Sequence, residues 1–156
     1  MITKLEIINA QEKWGNYLVK IGSCKNDVIK CKKTTEQMID KLYGYGKGTV
    51  LFCPTKAEKI QFRLTRRGAI SYFIGNDNKF PEDRGFALTP WKKVRFENAG
   101  FILENNRALS MGNYFFTDLN DNVIKVEYTF GYFKDAEGEL KIDLHHSALP
   151  YKIPKL

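Results

Sequence analysis

Val123-Ile124-Lys125-Val126-Glu127-Tyr128-Thr129-Phe130-Gly131-Tyr132-Phe133 alternates apolar and polar side chains through most of its length. With a period of two, Ile124, Val126, Tyr128, Phe130 and Tyr132 share one face, and Lys125, Glu127 and Thr129 take the other; this predicts a strand with one buried face. Turn signals stand on both sides, Asn120-Asp121-Asn122 before it and Asp135-Ala136-Glu137-Gly138 after it, and Asn105-Asn106 lies one segment upstream. These β-rich runs read as antiparallel hairpins over residues 86–149. Gly100, Gly112 and Gly131 each interrupt one of three successive strands. An isolated glycine there marks a bulge or sharp bend, so a strongly curved sheet is expected.

The N-terminal half has a different period. Ile8, Trp14, Tyr17, Leu18 and Ile21 recur near helical spacing, with Asn9 as a candidate cap and Gly22 as a stop. After Asn26-Asp27, the residues Val28, Cys31, Met38, Ile39 and Leu42 form a second helical stripe, with a candidate break at Thr34-Thr35. Gly44-x-Gly46-x-Gly48 ends it. A dinucleotide fingerprint would follow a strand and open a helix, whereas this cluster follows a helix and opens a short strand at 49–52, so it reads as a turn. Residues 65–73 form a short helix with Thr65 as its cap, stopped at Gly75-Asn76 and followed by a polar loop to Arg84.

Helices over about 8–42 followed by a bent meander predict an α+β architecture, a single domain over 1–156, with the sheet curling around a helix. A pocket lies between the concave face and the helices in such a shape. With 43% hydrophobic and 28% charged residues, the composition is that of a globular chain that buries a core. The net charge of +7 raises the question of nucleic acid, but Lys30, Lys32-Lys33, Arg66-Arg67 and Lys92-Lys93 are scattered among acids. The charge reads as solvated surface, and a nucleic-acid partner is disfavoured. No stretch is long and apolar enough for a bilayer and no secretion signal is visible, so no membrane is expected and a cytoplasmic location is. Cys24, Cys31 and Cys53 lack Cys-x-x-Cys spacing and are expected to be reduced structural thiols.

The only histidines are neighbours, in Asp143-Leu144-His145-His146-Ser147-Ala148. One copy of this chain cannot supply a three-histidine zinc site, and no metal or other cofactor is expected. Strict alternation puts Leu140, Ile142, Leu144 and His146 on one face and Lys141, Asp143, His145 and Ser147 on the other. The two rings then diverge, one on the core side and one at the rim. Neither a Gly-x-Ser-x-Gly elbow, a His-Glu-x-x-His pair nor a Walker loop is present.

Several longer runs carry a resemblance: residues 42–57 (Leu42-Tyr43-Gly44-Tyr45-Gly46-Lys47-Gly48-Thr49-Val50-Leu51-Phe52-Cys53-Pro54-Thr55-Lys56-Ala57), Gly68-Ala69-Ile70-Ser71-Tyr72-Phe73, Val94-Arg95-Phe96-Glu97-Asn98-Ala99-Gly100, Met111-Gly112-Asn113-Tyr114-Phe115-Phe116 and Leu144-His145-His146-Ser147. In this order, across residues 42–151, the chain resembles the iota-class carbonic anhydrases, in their metal-free bacterial and algal branch. The resemblance implies a cone-shaped cystatin-like or SnoaL-like barrel, related in fold to the association domain of calcium/calmodulin-dependent kinase II. It also implies a homodimer and reversible hydration of carbon dioxide to bicarbonate. The site residues it implies are Thr55, Tyr72 and Ser147 around carbon dioxide or bicarbonate, with His145 or His146 binding substrate or relaying protons. Taken singly, Thr55 could cap a helix after Pro54, Tyr72 could be a core aromatic and Ser147 could bond to backbone. A noncatalytic association or small-ligand-binding module of the same fold is the alternative. The family run ends His-His-Ser-Ser, whereas this chain has Ala148, and the extra histidine of metal-using diatom members is absent. For Ser147 to face a pocket, parity requires a bulge near His145 or a polar strand face turned inward.

Overall fold

The computed structural model describes residues 1–154. Helix α1 is Lys4–Ser23 and α2 is Val28–Leu42; after β1, Leu51–Cys53, come α3, Arg66–Ile74, and one 3-10 turn, Phe86–Leu88. Four long strands complete the chain, β2 Trp91–Leu103, β3 Arg107–Asp118, β4 Val123–Lys134 and β5 Leu140–Ala148. They form one sheet in the order β1-β5-β4-β3-β2, antiparallel except where β1 runs parallel to β5. The α+β arrangement and the bent sheet are as expected.

The helix boundaries differ from the periodic reading. The cap of α1 is Thr3, not Asn9: the Thr3 hydroxyl accepts from the Glu6 N–H and the Glu6 carboxylate accepts from the Thr3 N–H. This reciprocal box starts the helix before the first residue of the apolar stripe. Gly22 is inside the helix, and a Cβ there would come within 2.9 Å of the Ala87 carbonyl, so it serves close packing rather than termination. Asp27 caps α2 by accepting from the Lys30 N–H. No break occurs at Thr34-Thr35: both are buried, and the Thr35 hydroxyl donates to the Cys31 carbonyl four residues back, within an intact helix. The short strand begins at Leu51 and the sheet proper at Trp91, because residues 86–88 form the 3-10 turn.

Bulges give the sheet its curvature. In β2 the register shifts between Asn98 and Gly100, opposite Gly112 of β3. A Cβ on Gly112 would meet the Glu97 carbonyl at 2.1 Å, so the strands approach here in a way open only to glycine. In β5, Leu144 pairs with Gly131 and Ile142 with Tyr132, which leaves Asp143 as the extra residue. That bulge reverses the parity of everything after it. Ile142, His145 and Ser147 therefore face inward, while His146 is exposed.

The buried apolar residues form a continuous cluster between α1 and the concave face. Trp14 is at its centre, with Phe73, Phe96, Phe116 and Phe130 edge-on at 6.0–6.2 Å and Tyr114 and His145 at 5.6 Å. Within the sheet, Val126, Tyr128, Phe130 and Tyr132 are buried as the alternation predicts, and Ile124 emerges at the strand end, 41% exposed.

Candidate active site

The Asp143 bulge directs two polar side chains, His145 and Ser147, into an aromatic interior, where both are buried. Because β1 runs alongside β5, Phe52 is paired with His145, and the chain leaving β1 through Pro54 sets Thr55 beside Ser147. The Thr55 and Ser147 hydroxyl oxygens are 2.6 Å apart. Ser147 also bonds to the hydroxyl of Tyr114 on β3, which in turn reaches His145 Nε2 at 3.2 Å. On the other side of the ring, Tyr43 at the end of α2 places its hydroxyl 2.8 Å from His145 Nδ1. The indole N–H of Trp14 donates to the same Tyr43 hydroxyl at 3.0 Å. Phe52 stacks on the imidazole at 4.6 Å and 12°. Tyr72 comes from α3, and its hydroxyl accepts from the Lys56 N–H at 3.4 Å.

Anchors next to the site hold the loop that carries Thr55. The Glu82 carboxylate accepts from the N–H groups of Glu58, Lys59 and Ile60 at 2.7–2.9 Å, and these donors hold its pKa down at about 2. Arg63, fully buried, makes a two-pronged pair with Asp83, and Asp83 also accepts from Ser71, the neighbour of Tyr72.

Thr55, Tyr72, Tyr114, His145 and Ser147 line an inner cavity of about 10 Å³, the space of roughly one water. A larger vestibule, about 460 Å³, lies outside it and is lined by Lys56, Glu82 and Phe86. Tyr72 borders both, and its ring stacks on Phe86 at 5.5 Å and 15°, which makes this pair the partition.

The inner groups are uncharged at neutral pH. Burial pushes the hydroxyls of Tyr43, Tyr72 and Tyr114 well above the usual phenol range, opposed only partly by hydrogen bonds such as that of Ser147 to Tyr114. Burial, reinforced by the neighbouring His146, holds His145 well below its ordinary 6.5. The unfolded chain therefore binds a proton at pH 5–6 that the folded chain refuses, so stability is complete above about 6.5 and declines as pH falls below it. The carboxylates held near 2, Glu6, Asp77 and Glu82, give up their contributions only below about 4.5. Urea denaturation between pH 7 and 5 is expected to lose up to about 1.4 kcal/mol per pH unit, and His145→Gln to flatten that slope.

Of the residues expected from sequence, Thr55, Tyr72, Ser147 and His145 converge, and His146 does not. It lies on the outer face beside Met111 and Thr129, so the structure gives it no contact with the cavity. Ala148 shares that outer face, and a hydroxyl there would point away from Ser147. Thr55 caps no helix, because the next one begins at Arg66. Tyr114, Tyr43 and Trp14 complete the hydrogen-bonded chain without having been singled out. The available signal was membership in the runs 42–57 and 111–116 for the two tyrosines, and for Trp14 only its place on the α1 stripe. Among the described residues, no three His, Cys, Asp or Glu side chains are grouped to hold a metal.

A curled sheet closed over a long helix, with a neutral hydroxyl-lined cavity at its heart, defines a cystatin-like cone. The model of the family "Metal-independent carbonic anhydrase" matches residues 5–149. A metal-independent carbonic anhydrase from Nostoc sp. is 44% identical over 97% of this chain and 75% of its own length. The crystal structure of a cyanobacterial iota-carbonic anhydrase complexed with bicarbonate superposes with a TM-score of 0.93 at 42% identity, covering 97% of this chain and 94% of that one. A calcium/calmodulin-dependent protein kinase II association domain from Xanthomonas campestris shares the fold, with a TM-score of 0.56 at 21% identity over 90% of this chain and 82% of that one. The chain belongs to the metal-independent carbonic anhydrase family and is an enzyme of reversible carbon dioxide hydration.

Proposed function

We propose that Thr55, Tyr72 and Ser147 surround carbon dioxide and bicarbonate, and that Tyr114 and His145 hold those hydroxyls in place. The observation that carries this reading is the 2.6 Å Thr55–Ser147 contact at the wall of a cavity also bounded by Tyr72. In the hydration step a water oxygen bonds to the carbon, one C=O π pair moves onto oxygen, and the water gives up a proton. Hydroxyl groups do not make hydroxide as a metal would. They orient the water and donate hydrogen bonds to the oxygen that becomes negative, inside an aromatic shell where such bonds are strong. His145 is a poor proton acceptor because its charged form is disfavoured by burial. The proton therefore passes to solvent water and from there to dissolved buffer base, not to this imidazole.

Bicarbonate has four heavy atoms, more than a cavity of about 10 Å³ admits. Entry requires the Tyr72–Phe86 partition to shift, with Lys56, whose ammonium lies 5.9 Å from the Phe86 ring centroid, drawing the anion to the vestibule. A crystal soaked in bicarbonate tests the site: density against Thr55, Tyr72 and Ser147 is expected, and density confined to the vestibule would remove the assignment, while stopped-flow hydration distinguishes the enzyme from a noncatalytic module of this fold.

We also infer a homodimer formed through the outer face of the sheet. Ile102 and Met111, 57% and 59% exposed, are neighbours of Leu109 on that face and make an apolar strip. Light scattering is expected to give twice the 18.0 kDa chain mass, and half that for Met111→Glu. Three free thiols support a cytoplasmic location, and among the described residues no helix is long and apolar enough to cross a membrane.

A further inference from the structure

We propose that the Trp14 indole N–H sets the direction of the entire hydrogen-bonded chain from Tyr43 through His145, Tyr114 and Ser147 to Thr55, which makes Trp14 a positioning residue for the reaction. Indole nitrogen can only donate. Because the fully buried Tyr43 oxygen accepts that bond at 3.0 Å, its own single proton needs another acceptor, and His145 Nδ1 at 2.8 Å is the partner available. Nδ1 is therefore the bare nitrogen, and the neutral ring carries its proton on Nε2.

The remaining directions follow in sequence. Nε2–H donates to the Tyr114 oxygen at 3.2 Å, so the Tyr114 proton goes to Ser147. The Ser147 proton then goes to Thr55 at 2.6 Å. The Thr55 proton, last in the series, points toward the cavity, where the Tyr72 hydroxyl also lies. The opposite tautomer would aim two donors at the Tyr43 oxygen and strand a hydroxyl proton in the core. The closed end of the chain thus delivers a donor, not an acceptor, at the substrate end. A donor is what an oxygen gaining negative charge requires. His145 acts in this scheme by holding a tautomer, not by taking a proton.

The direction of the bonds depends only on this interior, whereas its consequence for catalysis rests on the assignment of Thr55 and Ser147 to substrate. With two histidines in the chain, 15N-histidine labelling of the full-length protein gives two ring systems, separable by the burial of one. Long-range 1H–15N correlation at neutral pH is expected to show His145 protonated at Nε2 and bare at Nδ1. Trp14→Phe, which keeps an aromatic ring but no donor, is expected to lower kcat by about tenfold with KM near wild type, because the groups lining the cavity remain. A His145 ring protonated at Nδ1 overturns the proposal. So does a folded Trp14→Phe protein with unchanged kcat. If that variant does not fold, the wild-type tautomer still decides the direction. An Nε2-protonated ring in a protein inert toward carbon dioxide upholds the bond order and removes the site assignment instead.

Discussion

Ser147→Ala is expected to lower kcat/KM for carbon dioxide hydration by about 10²- to 10³-fold, the scale of losing a donor system aimed at a developing oxyanion. Ser147 is bonded to both Tyr114 and Thr55, and it is 5% exposed. Without it, the Thr55 hydroxyl loses its fixed orientation and the Tyr114 proton loses its acceptor. Removing one oxygen from an edge of the cavity leaves the aromatic packing of Trp14, Phe52 and Phe130 intact, but leaving the buried Tyr114 hydroxyl without its acceptor costs about 1–3 kcal/mol, so the variant is expected to fold with a melting temperature lowered by several degrees. Thr55→Ala should be severe as well, with Thr55→Ser close to wild type. Stopped-flow hydration assays on the three proteins measure this, and a Ser147→Ala enzyme within twofold of wild type would take Ser147 out of the reaction.

Asp83→Ala is expected to destabilise the fold by about 3–5 kcal/mol, because it strips a buried guanidinium of its two-pronged partner and leaves it the more distant Glu82 carboxylate at 3.6 Å. The Arg63 side chain is fully buried and that of Asp83 is 1% exposed, with contacts of 2.5 and 2.7 Å. Arg63 also donates to the carbonyls of Ile60 and Gly68, so it joins the loop after Thr55 to the start of α3. At this chain length such a loss lowers the melting temperature by about 10 °C. Hydration activity should fall with it, since Tyr72 and Thr55 are the two site residues this pair positions. Calorimetry on Asp83→Ala and on Arg66→Ala distinguishes the cases: Arg66 forms an equally short pair with Asp40 but is solvent-exposed, and its loss should cost about 1 kcal/mol or less.

The alternation of residues 123–133 and the three interrupting glycines were enough to read a bent antiparallel sheet, because both signals are local. The start of α1 was not legible from apolar spacing: its first turn is defined by the polar Thr3 and Glu6, and Leu5 is left 65% exposed. Strict alternation set His145 and Ser147 on the face opposite the apolar Leu140, Ile142 and Leu144, whereas both are buried. The reason is the single extra residue at Asp143, whose presence depends on how β5 pairs with β4 and not on the composition of β5. With Ser147 facing the pocket, parity requires either a bulge near His145 or a polar strand face turned inward, and the bulge is what β5 contains. Tyr43 and Tyr114 were hidden among eight tyrosines and eleven phenylalanines, since a phenol in a hydrogen-bonded relay and a phenol in a core obey the same pattern. What separates them is the third dimension, in which elements a hundred residues apart bring hydroxyls into one line.

The account stands on hydration chemistry performed by neutral side chains. Its most direct test is stopped-flow carbon dioxide hydration by protein purified in the presence of a strong chelator and checked for metal content. Acceleration that is unchanged by the chelator and lost in Ser147→Ala is predicted. Acceleration that vanishes with the metal and returns when zinc is added would contradict it.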